Sequence, residues 1–288
     1  MGADPFDHDE FKSRQKESWD KVSPGWKKWW PTIEKGSQVV SNRLVELAKI
    51  QAGQNILDVA TGIGEPALTA AKRVGPTGQV TATDQAPQMI ALASERAKEN
   101  GIDNIIFHEV DCEKIDYPEG SFDAVLCRWG LMFLPDLPTA LGRLYKLLKP
   151  GGYLAAATWD VPAKVPGISL AMSVVMEAVQ APPPPPGLPS PFSLADTVLL
   201  KESFSQAGFN DLHTEKLNVV FKLDSPEAYT EFTKDIGAPV VTLVKTHASN
   251  REAEVWDIVT QAAEHYKVED QSVRFNNESI CIVGRKPL

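Results

Sequence analysis

Two carboxylates and two glycines around residue 60 are the first residues whose types and spacing suggest chemistry. In ILDVATGIGEPAL (56–68) an apolar run closes on Asp58-Val59-Ala60, and Gly62 and Gly64 follow after Thr61. Glycines let the chain bend sharply and let a ligand approach the main chain with no Cβ in the way. Pro66 suits the first turn of a helix that opens near Glu65. GIGEPA also satisfies the nucleotide pattern G-x-G-x-x-[GA], and Asp84 stands 22 residues beyond Gly62. That is about the ~20-residue offset of a carboxylate that binds ribose hydroxyls. Asp58, four residues ahead of Gly62, changes the reading. A carboxylate aimed into the turn repels an anionic pyrophosphate and favours a ligand with positive groups.

These residues need a scaffold that brings strand ends together. Apolar runs at 55–60, 79–84, 104–111, 122–127 and 152–158 read as buried parallel strands. Helical stretches at 65–74, 87–100 and 138–148 lie between them, the last stopped by Lys149-Pro150-Gly151-Gly152. This alternation over 54–158 predicts right-handed βαβ units in one parallel sheet. Such sheets bind ligands at the carboxyl ends of their strands, where Asp58 and Asp84 fall.

Past residue 160 the rhythm loosens. Helices are expected at about 167–180 and 194–207, a strand at 210–223, mainly helix over 225–265, and a closing strand or hairpin over 272–285. APPPPPGLPSP (181–191) must be extended and irregular, because proline fixes φ and blocks helix. A stiff surface loop is the expected reading, an SH3-type ligand the other. Ahead of the sheet, Phe11, Trp19, Val22, Trp26, Trp29, Trp30 and Ile33 recur at helical spacing over 9–33. A break is expected near Ser23-Pro24-Gly25, and a second helix from Ser37 to about Ile50.

Composition narrows the partners. The 288-residue chain carries a formal net charge of −9, which disfavours a nucleic acid, since neutralising phosphates takes a basic face. Cys112, Cys127 and Cys281 are too few and scattered for a disulfide framework or a zinc site, and read as reduced thiols. The acidic, polar start is unlike a signal peptide, and no apolar run approaches the roughly 18 residues of a membrane span. A cytoplasmic protein is expected. No internal repeat is present, and composition does not fix the oligomeric state.

S-adenosylmethionine, which presents an ammonium and a sulfonium, is a ligand for which Asp58 is a sensible neighbour. Here the sequence resembles the class I methyltransferases, whose first motif is a strand ending in D-x-x-x-G-x-G. The resemblance covers roughly 54–160. Within that class QVTATDQAPQMIALASERA, GSFDAVLCRWGLMFLPD and LLKPGG look like the branch of ubiquinone/menaquinone-biosynthesis C-methyltransferases and their small-molecule relatives. The resemblance implies a doubly wound α/β fold with a mostly parallel seven-stranded sheet, a helical N-terminal lid and an inserted cap. Residues 1–50 would be the lid, 51–160 the Rossmann-like S-adenosylmethionine-binding core, and 161–288 the acceptor-binding cap with closing strands of the same domain.

The resemblance also implies roles. Asp58, Thr61, Gly62 and Gly64 would sit around the methionine moiety, Asp84 on the ribose, and Gln85 and Met89 beside the nucleoside. Asp111 and Cys112 match the adenine-binding position, with Cys112 a small neighbour rather than a nucleophile; a capping role is the plainer reading of Asp111. Arg128 takes the position facing the methyl group and the substrate. Cys127-Arg128-Trp129-Gly130 departs from the N/D-P-P-Y/F motif of DNA amino-methyltransferases, which argues against nucleic-acid amino groups as target.

The acceptor pocket is expected over the strand ends, lined by Trp29, Trp30, Trp129, Met132, Phe133 and Phe192. Trp19 and Trp26 are expected to pack the N-terminal helix instead. Such a lining favours an aromatic or hydrophobic acceptor, methylated at O, C or N. His247 is the best histidine for a general base, since it lies in the region expected to form the pocket. The histidines have no metal-ligand spacing, so no metal is expected. Two other functions compete: a nicotinamide-dependent oxidoreductase, and a non-catalytic S-adenosylmethionine-binding partner protein.

Overall fold

The computed structural model describes residues 6–182 and 187–288. Residues 183–186, within the proline tract, lie outside the described residues. The chain opens with one long helix, α1 (His8–Leu47), capped by the Asp7 carboxylate. Then follow β1 (Asn55–Val59), α2 (Ala67–Val74), β2 (Gln79–Asp84), α3 (Pro87–Glu99), β3 (Ile105–Glu109), β4 (Phe122–Arg128), α4 (Leu137–Leu147) and β5 (Leu148–Trp159). The second part holds α5 (Pro166–Ala178), α6 (Thr197–Gln206), β6 (Asn210–Leu223), α7 (Pro226–Ile236), α8 (Ala238–His247), α9 (Glu252–Ala263) and β7 (Val273–Arg285).

The seven strands form one sheet in the order β3-β2-β1-β4-β5-β7-β6. The first five are parallel, as the alternating pattern requires. The parallel sheet expected over 54–158 is present, and the mostly parallel seven-stranded sheet is mixed, because β7 runs antiparallel to both β5 and β6. The cause is visible in β6, whose first nine residues have no buried member. A strand solvated on one face reads as an antiparallel edge, whereas β1 buries four of its five residues. Successive residues of the central strands serve opposite cores: Ile56 faces the one shared with α1, α2 and α5, Leu57 the one shared with α4 and α6.

The expected break at Ser23-Pro24-Gly25 does not occur, and α1 runs 40 residues through Pro24 and Pro31. Proline at 24 cannot donate to the Asp20 carbonyl. The Ser23 hydroxyl donates to that carbonyl instead, at 2.8 Å, so the freed group is satisfied and the helix continues. Glycine in α1 serves close packing rather than a break: a Cβ at Gly36 would lie 2.3 Å from the Val220 carbonyl oxygen on β6. Among the described residues, no helix is long and apolar enough to cross a membrane.

Candidate functional site

The carboxyl ends of β1, β2 and β4 meet at a cavity of about 890 Å³, open solvent outside its mouth included. Its floor is the turn after β1. Asp58 is fully buried, and its Oδ2 accepts from the Thr61 hydroxyl at 2.6 Å and the Ala67 amide at 3.0 Å. The carboxylate therefore ties the start of α2 to the turn from beneath and does not line the cavity. Its other oxygen is buried with no partner among the described residues, and burial pushes its pKa up to about 8. Gly62 tops the turn with φ 56°, and a Cβ there would meet no protein atom within 4 Å.

Asp84 closes the turn from β2. Its Oδ2 accepts from the Gly62 amide at 2.9 Å and its Oδ1 from the Ala86 amide at 3.0 Å. Burial raises its pKa and the two amides oppose the rise. Arg128, the last residue of β4, is buried with its guanidinium donating to the Ser41 hydroxyl at 2.8 Å and the Ser37 hydroxyl at 3.2 Å. No described carboxylate lies within ion-pair distance of it. Burial lowers its pKa, against the fields of Glu65, Asp58 and Glu34. Two non-glycine residues at the strand ends have left-handed φ, Ala60 at 54° and Trp129 at 60°. Such strain persists where the surroundings over-determine it, commonly at functional sites.

α1 makes the roof. Gln15, Trp19, Trp26 and Trp30 line the cavity from one face of that helix. Trp19 meets Phe133 edge-on with ring centres 5.4 Å apart, and the Arg96 guanidinium lies 3.6 Å from the centre of the Trp30 ring. Lys12 ties the helix to the far wall, pairing with Asp111 at 3.0 Å and with Glu113. Asp111 also accepts from the Glu113 amide at 2.9 Å, so its carboxylate has both a capping role and a cation partner while still facing the cavity. Cys112 beside it is buried, which pushes its thiol well above the ordinary range.

The cavity brings together Thr61, Gly62, Asp84, Gln85 and Met89, and across from them Asp111, Cys112 and Arg128. Trp30, Trp129 and Phe133 join from the expected acceptor side. Trp129 is stacked on Trp159 at 4.1 Å and donates to the Ser279 hydroxyl. Gly64 belongs to the turn without facing the cavity.

Four other expectations need correction. Trp29 points away, donating to Asp235 at 2.7 Å and packing edge-on against Phe232 of α7. Met132 is buried outside the lining, its carbonyl held by the Ser193 hydroxyl, and Phe192 lies beside that same anchor. His247 ends α8 as an exposed residue away from the cavity, and no described histidine lines it. Trp19 and Trp26 replace Trp29. Helical spacing carried the signal: 15, 19, 26 and 30 differ by four, seven and four and share a face, whereas 29 falls about 100° away per residue step from 30. Glu65 at the turn was also missed, because its type carries no signal apart from the turn that buries it.

Known proteins share part of this sequence and its fold. Residues 56–152 match a sequence family described as a methyltransferase domain. A demethylmenaquinone methyltransferase of Listeria welshimeri is 31% identical over 156 residues, covering 51% of this chain and 66% of that protein. The Thermus thermophilus protein of the same description is 39% identical over 122 residues, 42% of this chain and 54% of its own. The chain thus matches just under two thirds of the length of these relatives, or less. The resemblance to class I methyltransferases of the ubiquinone/menaquinone branch holds over that stretch. Among solved structures, the YcgJ protein of Bacillus subtilis superposes with a TM-score of 0.56 at 19% identity, covering 86% of this chain and 98% of that one. A [4+2]-cyclase, SpnF, superposes with a TM-score of 0.54 at 20% identity over 88% and 83%. At these identities the likeness establishes the fold alone, and a cyclase among the neighbours warns that fold does not fix reaction.

Proposed function

We propose that this chain is an S-adenosylmethionine-dependent methyltransferase acting on a small aromatic or hydrophobic acceptor. One observation carries the reading: the Gly62 turn, the Asp84 carboxylate and the Arg128 guanidinium face a single cavity at the strand ends. Each polar part of the cofactor has a complement there. Arg128, buried without a carboxylate partner, suits the methionine carboxylate, and Glu65 suits the ammonium. Asp84 suits the ribose hydroxyls, and the open space above Gly62 suits close approach to the backbone. Gln85, Met89, Cys112 and Asp111 with its Lys12 partner would wall the nucleoside. Asp58 acts from below by holding the turn.

When bound, the cofactor supplies an electrophilic methyl carbon on a sulfonium. The chain's own part is to hold the acceptor in line and exclude water. The tryptophans of α1, with Trp129 and Phe133, are suited to both tasks. On this reading residues 1–50 are a lid, 51–160 the cofactor-binding core, and 161–288 the cap and closing strands. The acidic charge balance supports a small-molecule partner over a nucleic acid, and the three unpaired buried cysteines are in keeping with the cytoplasm.

The test is a pair of titrations with S-adenosylhomocysteine and NADH, read by calorimetry and by melting temperature. S-adenosylhomocysteine should bind and raise the melting temperature, because it prefers the native state. NADH binding with no response to S-adenosylhomocysteine rejects the reading. Transfer of a labelled methyl group across an acceptor panel then separates an enzyme from a non-catalytic binder.

A further inference from the structure

Arg128 and Trp129 are adjacent at the end of β4, yet their side chains lie on the same side of the sheet. Along an extended strand successive side chains point to opposite faces. An extended Trp129 would face the core shared with α4 and α6. It packs instead against the core shared with α1, and so does Trp159. The left-handed φ of 60° makes that turn, in a conformation uncommon and costly for a bulky side chain. Three contacts hold the ring there. It stacks on Trp159 with centres 4.1 Å apart and planes 16° from parallel, and its N–H donates to the Ser279 hydroxyl at 2.9 Å. The Arg128 guanidinium lies 5.0 Å from the ring centre. With Trp159 on one face, the guanidinium takes the other.

The guanidinium has donors to spare. Its Nη1 donates to Ser37 and Ser41 on α1, whereas no described residue accepts from its Nε or Nη2. Neither of these two nitrogens is sealed off, and Arg128 lines the cavity. A guanidinium is a planar fork that pairs with a carboxylate through two N–H groups and also stacks on aromatic faces. Its plane therefore decides whether the fork meets a ligand.

We propose that Trp129 is a positioning residue: its left-handed backbone lays the ring over Arg128 and fixes the plane in which the guanidinium offers its free N–H groups to a ligand carboxylate. The inference rests on the methyltransferase reading, in which that carboxylate belongs to the amino-acid end of the cofactor.

The experiment measures, by calorimetry on the full chain, the preference for S-adenosylhomocysteine over its decarboxylated analogue, which keeps the nucleoside and the amine. Trp129→Gly removes the ring at a φ that glycine adopts without strain, and Trp129→Phe keeps an aromatic face. The wild type should prefer the carboxylate by about tenfold or more, the scale of a hydrogen bond to a charged group. Trp129→Gly should lose about fivefold of that preference, the scale of a cation–π contact, and Trp129→Phe should keep most of it. Added to Arg128→Gln, which should itself abolish most of the preference, Trp129→Gly should change it no further, as action through Arg128 requires. An unchanged preference in Trp129→Gly, an equal loss of both ligands there, or a further loss in the double variant overturns the role. A wild type that binds both ligands equally well also overturns it and leaves the methyltransferase reading standing. A wild type that binds neither rejects that reading and the positioning role with it.

Discussion

The sheet's side of the cavity and the side built by α1 are held by bonds of different reach. Around the turn after β1, Asp58 binds Thr61 and Ala67, three and nine residues on, and Asp84 binds Ala86, two residues on. The α1 side is held over far longer separations: Lys12 reaches Asp111, Lys27 reaches Glu95, Asp20 accepts from the Gln88 amide, and Gly36 rests on Val220. The carboxylates that hold the turn therefore reach no further than the 22 residues from Asp84 back to Gly62, whereas the roof depends on docking points far along the chain. On the proposed reading the floor holds a common cofactor and the roof selects the acceptor. α1 also buries Val22, Ile33, Val40, Leu44 and Val45 in the core it shares with the sheet, so its seat is long-range packing as well as polar pairs.

The largest effect is expected where the roof alone is lifted. Gly36→Val places side-chain atoms on the Val220 carbonyl, where overpacking costs about 1–3 kcal/mol and more when backbone blocks relief. The expected result is a Tm lower by several degrees, faster proteolysis within α1 and retained S-adenosylhomocysteine binding. A variant with wild-type Tm and proteolysis would show that α1 is not seated on β6 as described.

On the floor, Asp84→Ala removes the carboxylate proposed for the ribose and uncaps the Gly62 and Ala86 amides. S-adenosylhomocysteine affinity, measured by calorimetry, should fall by about 1–3 kcal/mol. Proteolysis within α1 should change little, since the α1 side is untouched. Unchanged cofactor affinity would remove Asp84 from the site.

Asp58 sharpens the floor further through pH. Its folded pKa, about 8, lies above the ordinary carboxylate value, so the native state holds a proton that the unfolded chain has released. Stability from this group is therefore full below the ordinary carboxylate range and is lost as pH rises towards about 8. Asp58→Asn keeps an oxygen for Thr61 and Ala67 and removes the titration. The variant's Tm should gain on the wild type as pH rises from 5 to 8, on the order of a few degrees. A Tm difference independent of pH would show that Asp58 is ionised throughout.

The smallest effect is expected at the latch. Lys12→Ala deletes the pairs with Asp111 and Glu113, whose side chains are largely covered, so the loss is about 1 kcal/mol, the upper end for an exposed pair, or somewhat more. Tm should drop slightly, with the drop shrinking in high salt. A loss as large as that of Gly36→Val would make the latch, rather than the Val220 seat, the main anchor of the roof.

Elements whose signal is local can be read from the residues alone. The parallel strands are runs of buried residues, the turn after β1 needs glycine at Gly62, and Asp84 sits at a fixed remove from it, so the parallel part of the sheet and the glycine turn were legible from the sequence. What depends on partners far along the chain emerges only from the folded packing. Pro24 reads as a helix break until Ser23 is seen to satisfy the Asp20 carbonyl. Asp58 reads as a ligand to the cofactor until its oxygen is found on Thr61 and Ala67 beneath the turn. Of the four α1 tryptophans, all have a type suited to a pocket, and the direction in which α1 crosses the sheet chose three. Asp235 of α7 drew Trp29 outward, and the strand ends left Trp19, Trp26 and Trp30 facing the cavity. That choice lies in the rotation of a helix about its own axis, which long-range packing sets and which no neighbour in sequence encodes.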